Sequence, residues 1–535
     1  MNTTKTAPCQ EACPAGVDVP RYLRHIRDGR FAEALAVVRE RIPFPLVCGY
    51  ACFHPCESKC GRRQFDTPLA IRMLKRVAAE QGQQDYAVPA PAAATGREVA
   101  IVGSGPCGLT AGYYLALQGH AVTVFEALGQ SGGMLRFGIP AYRLPDDVVD
   151  ADIHLIERAG VKIRTGTRVA SAEALLSQGF DAVLIASGAW RSAKMGIPGE
   201  NAPHVLDGLA FLKRVNAGAA PKLGDRVVVV GGGNTAIDAA RVSRRLGAQV
   251  VQLYRRTRAE MPASAEEVAD AIEEGVAIEY LCAPVRIDDD QVTCVRMALA
   301  GADASGRPRP VVVPGSEFAI PASTVIMAIG QEVEVPAAVA REAKGTAAVD
   351  GRTLATSVTG VFAGGDAVLG PATVIDAIAQ GRAAAEAIDR FLGGSGVIDQ
   401  AVVPDADLSV EVPRGTARVA WRTIPIAQRL NGFDVVEEAY ERPMAASEAM
   451  RCLSCDLREF HVAVDSVVCK DCGYCHEVCG LDVFTRSDQF NAAGYLPTVA
   501  AKAERCVGCL NCLYICPDFA ITITERRSQP QACSL

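Results

Sequence analysis

The sequence predicts a multidomain chain: a helical, cysteine-rich N-terminal domain, two α/β units with parallel sheets, and a small α+β cysteine-rich domain at the C-terminus. Three observations predict it. Eight cysteines near the C-terminus fall in two runs of the form C-x2-C-x2-C-x3-C: Cys469, Cys472, Cys475 and Cys479, then Cys506, Cys509, Cys512 and Cys516, the last followed by Pro517. Two stretches, REVAIVGSGPCGLTAGYYLALQGHAVTVFE and DRVVVVGGGNTAIDAARVSRRLGAQVVQLYRR, each read strand, glycine turn, alanine-rich helix, strand, the pattern of a parallel α/β unit. Six more cysteines crowd residues 1–82, among helical stretches such as YLRHIRDGRFAEALAVVRE.

The bulk properties narrow the classes. A length of 535 residues suits three or four domains of about 100–200 residues each. The net charge of −7 argues against a nucleic-acid or anionic-membrane surface. No apolar run approaches the roughly 20 residues of a membrane span. The N-terminal residues MNTTKTAPCQEACP contain no apolar signal region, so no secretory signal is expected. Twenty cysteines in such a chain point to thiolate metal ligands rather than disulfides, and to a reducing cytoplasm.

Element by element, residues 1–87 form the helical domain, followed by a Pro/Ala-rich linker, VPAPAAATGRE. The first α/β unit is expected over 97–222 and 334–395, with the second, 223–333, inserted between its halves. Residues 396–460 form a mixed connecting segment, and 461–535 the C-terminal domain. In the first unit Gly103, Gly105 and Gly108 make G-x-G-x-x-G directly after a strand, with Ser104 inside the turn. Glycine there permits a tight turn, close approach of a pyrophosphate, and close helix–strand packing. The following helix N-terminus meets the phosphates. Glu126, twenty-three residues after Gly103, can accept hydrogen bonds from a ribose 2′-OH. This is a Rossmann-like dinucleotide site.

In the second unit Gly231, Gly233 and Ala236 give G-x-G-x-x-A, and Tyr254 is followed by Arg255 and Arg256 where a ribose would want a carboxylate. Guanidiniums suit a charged 2′-phosphate, so this site is expected to take NADP(H), with Arg258 as a third candidate. The alternative is a solvated arginine pair. The C-terminal cysteine runs are the ligand pattern of a bacterial two-cluster ferredoxin, in which the fourth cysteine of each run serves the other cluster. One [4Fe-4S] cluster would use Cys469, Cys472, Cys475 and Cys516, the other Cys506, Cys509, Cys512 and Cys479. Gly480 stands where proline usually follows the first run. Zinc is the rival reading, since C-x2-C pairs also bind zinc. A hydride donor and one-electron clusters need an intermediary that handles both, which a flavin does. Cys107 lies in the first glycine turn with no C-x2-C or C-x4-C partner, which argues against disulfide reductase chemistry. Cys107, Cys282, Cys294 and Cys533 are read as non-ligand cysteines, and His25, His54, His461 and His476 as structural or surface residues.

Over residues 8–395 the chain resembles the small, NADPH-oxidising subunit of glutamate synthase, the matching part of dihydropyrimidine dehydrogenase, and the large subunit of bifurcating ferredoxin:NADP transhydrogenase. The motifs that carry the resemblance are CQEACPAGVDVPRYL, CGYACFHPCESKC, VGSGPCGLTAGYYLA, GGMLRFGIPAYRLP, GGGNTAIDAAR, YRRTRAEMPA and GGDAVLGP. It implies FAD contacts at Glu126, Met134, Arg143, Asp366 and Thr373, with Gly133 and Gly365 in the same motifs. It implies NADPH contacts at Asn234, Thr235, Arg255, Arg256 and Gly330. The segments IASGAW and IMAIGQ match the strand ends that return the chain between the two nucleotide domains in two-domain flavin reductases.

One departure is informative. The family's opening C-L-x-C pair is not found ahead of Cys9 and Cys13; ASEAMRCLSCDL at 446–457 carries it instead, as Cys452 and Cys455. The expectation is that this strand folds back onto the N-terminal domain. By the family's pairing one cluster takes Cys452, Cys455, Cys9 and Cys60, and another takes Cys13, Cys52, Cys56 and a fourth ligand. The family's fourth ligand is a Gln or an acid, but Lys75 stands at that position, and an ammonium has only donors. Either Cys48 substitutes, giving four [4Fe-4S] clusters in all, or this domain holds a single cluster. The reading is an FAD-dependent oxidoreductase between NADP(H) and ferredoxin-type clusters. It belongs to a hetero-oligomer with other redox subunits or ferredoxin, such as a 2-oxoacid:ferredoxin oxidoreductase. Hydride transfer to a flavin requires no acid or base from the protein, so no catalytic side chain is expected. The alternatives are a glutamate synthase small subunit and a non-catalytic electron-wire or scaffold subunit.

Overall fold

The computed structural model describes residues 6–303, 306–398, 403, 405 and 416–526; Cys533 lies outside them. The helical stretch at 22–40 breaks into two helices, Val19–Arg27 and Phe31–Arg39. Gly29 supplies the break with φ +74, a left-handed turn that glycine adopts without steric cost. Helices Pro45–Ala51 and Ile71–Gly82 pack closely. Their backbones nearly touch at Gly49, where a Cβ would lie 2.7 Å from Arg76 Cα.

The first nucleotide unit is a five-stranded parallel sheet. Its order is Val361–Ala363, Ala182–Ile185, Glu98–Val102, Ala121–Phe125, Lys162–Arg164. Its apolar core is continuous with that of the N-terminal helices. Buried Arg39 and Asp152 pair across the two at 3.5 Å. The second unit is also five parallel strands, ordered Val205–Asp207, Thr324–Met327, Arg226–Val230, Gln249–Tyr254, Ala277–Tyr280. Val205–Asp207 falls within the 97–222 segment assigned by sequence to the first unit, yet it pairs with Val325–Met327 of the second. A three-residue strand without a glycine turn carries no local sign of the sheet it joins.

The two crossings between units lie side by side: Arg191–Ser192 pairs antiparallel with Gln331–Glu332. An antiparallel extension, Cys282–Ile287, Gln291–Ala302, Pro308–Val312 and Phe318–Pro321, packs against one face of the second unit's sheet. The connecting segment after 416 is a packed strap. Val436 enters the core of the second unit and Tyr440, Ala445 and Ala449 that of the first. The C-terminal domain pairs Glu459–Val464 with Ile521–Arg526, and Thr485–Arg486 with Thr498–Val499. Short helices Tyr474–Val478 and Asn511–Ile515 lie within the cysteine runs, each just ahead of its run's fourth cysteine. No helix among the described residues is long and apolar enough to cross a membrane.

Candidate functional site

The two glycine turns solve one steric problem twice. Gly103 has φ +109, and a Cβ there would lie 2.4 Å from the Ala186 carbonyl oxygen. Gly231 has φ +144, with the Ala328 carbonyl oxygen 2.1 Å away. Both first glycines are therefore required by the protein's own backbone. A Cβ on Gly108 would meet Gly103 O at 2.1 Å, the close helix–strand contact; Ala236 fills that role, fully buried, in the second turn. Gly105 and Gly233 are different: nothing lies within 4 Å of a Cβ on either. That open space leaves room for a pyrophosphate to approach the backbone, at the N-termini of helices Pro106–Leu117 and Asn234–Arg245.

Glu126 ends the strand of the first unit and braces its turn. Its Oε2 accepts from Ser104 N at 3.0 Å and Ser104 Oγ at 2.6 Å, and its Oε1 from Leu128 N at 2.8 Å. Gly133 and Gly365 are close-approach positions: a Cβ would lie 2.9 Å from Gly105 Cα and 2.8 Å from Cys107 Cβ respectively. Cys107 is buried beneath them, and burial pushes its thiol well up, so it is not poised as a nucleophile.

A cleft of about 890 Å³ joins the two units. Met134, Arg143, Asp366 and Thr373 line its first-unit side. Gly231, Gly233, Asn234, Thr235, Arg255, Arg256 and Gly330 line the other. Thr373 caps helix Val374–Phe391 in a reciprocal box with Asp376. Burial lifts the Asp366 carboxyl to about 6, against a hydrogen bond from Ala372 N. Arg143 is held by Asp238 at 2.8 Å and Glu267 at 2.9 Å, so it also ties the two units together.

The arginine pair divides. Arg255 is exposed on the cleft wall. Arg256 is buried, donating to Asp303 Oδ2 at 2.6 Å and the Pro308 carbonyl at 2.9 Å. Arg258 sits on the turn Arg258–Glu260, away from the cleft lining. Sequence reasoning missed Arg307 and Lys194, both on the cleft wall. Their only sequence signal is a basic residue in a loop.

The cysteines gather in quartets. One cavity in the C-terminal domain is lined by Cys469, Cys472, Cys475 and Cys516. A second is lined by Cys479, Cys506, Cys509 and Cys512. In the N-terminal domain Cys9 lies among Cys60, Cys455 and Cys452. Burial and this crowding raise its thiol well above the ordinary range, and burial pushes Cys452 up to about 12. The returning segment, a helix Arg442–Ala449 and the turn after it rather than a strand, is locked by a buried network. Arg451 donates to Glu448 at 2.7 Å and to Asp66 at 2.9 Å, and Glu448 accepts from Ala70 N at 2.9 Å. The remaining four, Cys13, Cys48, Cys52 and Cys56, lie near the Lys75 ammonium.

Among the described residues no three His, Cys, Asp or Glu side chains converge tightly enough for one metal ion. Four thiols spread around a cavity fit a polynuclear cluster instead, whose binding displaces thiol protons. The histidines stand apart: His25 is buried, His54 bonds Glu266 at 3.2 Å, His476 bonds Thr498 at 3.1 Å, and His461 is exposed on a strand.

Two dinucleotide folds sharing a cleft, with cysteine quartets beside them, define an NADPH-dependent flavin iron–sulfur oxidoreductase. The comparisons with known proteins agree. Residues 97–381 match pyridine nucleotide-disulphide oxidoreductase, residues 2–86 match dihydropyrimidine dehydrogenase domain II, 4Fe-4S cluster, and residues 468–520 match the 4Fe-4S dicluster domain. The chain belongs to the pyridine nucleotide-disulphide oxidoreductase family. It is 43% identical over 498 residues to the NADP(+)-dependent formate dehydrogenase subunit beta of Moorella thermoacetica, covering 84% of this chain and 70% of that protein. It is 40% identical to the NADPH-Fe(3+) oxidoreductase subunit beta of Geobacter sulfurreducens, covering 84% and 75%. The glutamate synthase [NADPH] small chain of Azospirillum brasilense is 36% identical, covering 72% and 86%. The chain uses NADP(H), FAD and [4Fe-4S] clusters and moves electrons between them.

Proposed function

We propose that this chain is the NADP(H)-reactive subunit of a hetero-oligomeric redox complex in a reducing cytoplasm, wired by four [4Fe-4S] clusters. The observation that carries it is an unbroken series of sites. Ala51 and Phe53, flanking Cys52, line the nucleotide cleft. The Cys13/Cys48/Cys52/Cys56 quartet therefore stands directly behind it. The Cys9/Cys60/Cys452/Cys455 quartet follows. Cys455 and Leu453 then share an apolar core with Cys506 and Val507 of the C-terminal domain, beside the Cys479/Cys506/Cys509/Cys512 cavity.

FAD, when bound, accepts two electrons as hydride and releases them singly, the conversion that NADPH and iron–sulfur clusters require. The chain's own residues do the rest. Gly105 and Gly233 leave room for the pyrophosphates. Glu126 accepts from the flavin nucleotide's ribose, and Asp366 and Thr373 hold the flavin end of the cleft. Arg255, with Arg307 lining the same cleft, reads the 2′-phosphate of NADPH, the reading favoured for charge-assisted contacts.

The C-terminal domain presents Val467, Phe490, Tyr514 and Phe519, each more than two-thirds exposed, and Cys472 is exposed as well. Apolar surface of this kind supports a docked partner. The partner we expect is a subunit that oxidises a low-potential substrate, formate or a 2-oxoacid. Anaerobic stopped-flow mixing with NADPH is expected to bleach the flavin and then the iron–sulfur absorbance; a flavin that stays oxidised would overturn the reading. Glutamine-dependent NADPH oxidation by the native complex would favour the glutamate synthase alternative, to which the 36% identity gives weight.

A further inference from the structure

We propose that the Lys75 ammonium is the built-in counter-charge of the cluster held by Cys13, Cys48, Cys52 and Cys56, and that it raises this cluster's reduction potential above that of the neighbouring Cys9/Cys60/Cys452/Cys455 cluster. The proposal rests on the reading that the four thiols hold a cluster.

The geometry comes from one helix seam. Helices Pro45–Ala51 and Ile71–Gly82 meet where Gly49 faces Arg76, with only 2.7 Å between a Gly49 Cβ and Arg76 Cα. One residue earlier on each helix are Cys48 and Lys75. Both are buried, as are Cys52 and Cys56. The thiols of Cys52, Cys48, Cys56 and Cys13 all lie near Lys75.

The nearby carboxylates are committed elsewhere. Asp152, beside Cys48, is taken by Arg39 and by Val47 N at 3.0 Å. Glu57, beside Cys56, accepts from Arg72 N at 2.9 Å and Arg418 Nη2 at 2.8 Å. Lys75's helix neighbours are also satisfied: Arg72 pairs with Glu437 at 2.6 Å and Arg76 with Glu80 at 2.7 Å. Among the described residues Lys75 alone of these three cations has no carboxylate. A buried ammonium without a counter-charge is strongly disfavoured, so the site calls for an anion between the four sulfurs. A four-thiolate cluster is that anion.

Among the described residues the neighbouring quartet has no such unpaired charge. Its nearby cations, Arg24 and Arg451, are neutralised by Asp405 and Asp456 and by Glu448 and Asp66. Reduction adds one electron and one negative charge to a cluster, and net charge is among the determinants of its potential. A fixed cation therefore stabilises the reduced form. In this chain that makes the cluster nearest the cleft the one that fills first.

The test uses the full chain purified anaerobically, with Lys75→Met and Lys75→Arg variants, iron and flavin analysis, and EPR-monitored redox titration. In Lys75→Met we expect one cluster's midpoint to move to more negative potential while the others hold; in Lys75→Arg it should stay near the unmodified value. Loss of one cluster's iron in Lys75→Met with retention in Lys75→Arg would equally support a charge requirement. Unchanged midpoints in Lys75→Met at full iron content would overturn the proposal while leaving the four-cluster reading intact. Loss of iron in both variants would also overturn it, because charge would not be what the cluster needs. A shortfall of one cluster in the unmodified chain, with Cys48→Ser losing no more iron, would instead remove the quartet reading itself.

Discussion

Arg256 spends its guanidinium on Asp303 and the Pro308 carbonyl, whereas its sequence neighbour Arg255 stays exposed on the cleft wall. The two should respond differently to substitution. A charged hydrogen bond contributes about 1.5–3 kcal/mol, so Arg255→Ala should raise the KM for NADPH by roughly 10- to 100-fold and leave that for NADH nearly unchanged. Arg256→Ala should lower thermal stability instead, by freeing Asp303 and the loop it holds. Equal KM effects on both nucleotides in steady-state assays would deny Arg255 the phosphate. Asp366 offers a pH-dependent case. Burial raises its folded pKa to about 6, above the ordinary carboxylate value. The folded form thus keeps a proton that the unfolded chain releases, and stability falls as pH rises from about 4 to about 6. Asp366→Asn removes that loss. Flavin-stripped Asp366→Asn protein should melt a few degrees higher at pH 8 than the unmodified chain, with a smaller gain at pH 5, and should bind FAD less tightly. Scanning calorimetry at the two pH values and flavin titration measure both.

The glycine turns show how one motif divides its labour within an element. Gly231→Ala places a methyl against the Ala328 carbonyl at a left-handed φ, a strain of order 1–3 kcal/mol before the clash is counted. It should cost stability and nucleotide binding together. Gly233→Ala meets nothing in the protein, so its melting temperature should match the unmodified chain while the KM for NADPH rises more than about tenfold, as a methyl fills the pyrophosphate's approach. Parallel losses in both variants would break this distinction. At this scale the sequence was most readable. Glycine turns and cysteine runs are local patterns whose spacing is itself the structure, and the Cys452/Cys455 pair could be recognised by its motif although it stands far from the other cysteines. What could not be read were features made by distant chain. The sheet that Val205–Asp207 joins, the Asp303 that engages Arg256, and the place of Arg307 on the cleft wall all depend on tertiary contacts that no short window contains.

At the scale of the molecule, the C-terminal domain sits on the N-terminal one through two kinds of contact. Val507 packs against Gly61 and Leu453, with Phe65 in the same core, and Asn511 donates to the Gln64 carbonyl at 3.0 Å. Arg505 and Glu11 form an exposed ion pair at 3.3 Å, worth about 0–1 kcal/mol and screened by salt. The apolar contact should therefore set the docking. Half-molar salt, about 0.5 M with a Debye length of a few ångströms, should leave electron passage to the C-terminal clusters unchanged. Val507→Asp should slow it sharply. Stopped-flow EPR after NADPH addition separates the two, and a strong salt effect with no effect of Val507→Asp would reverse the assignment. The returning segment carries a consequence in time as well as in space. Cys9 and Cys60 leave the ribosome first, but the partners that complete their quartet come hundreds of residues later, after both nucleotide units have been made. A chain whose synthesis stops short of Cys455 could fold a cleft and bind its nucleotides, yet it would have no finished connection beyond the inner quartet. On the proposed wiring the cluster is thus a seal set last, and a chain must extend through Cys455 to conduct from NADPH to its outer surface.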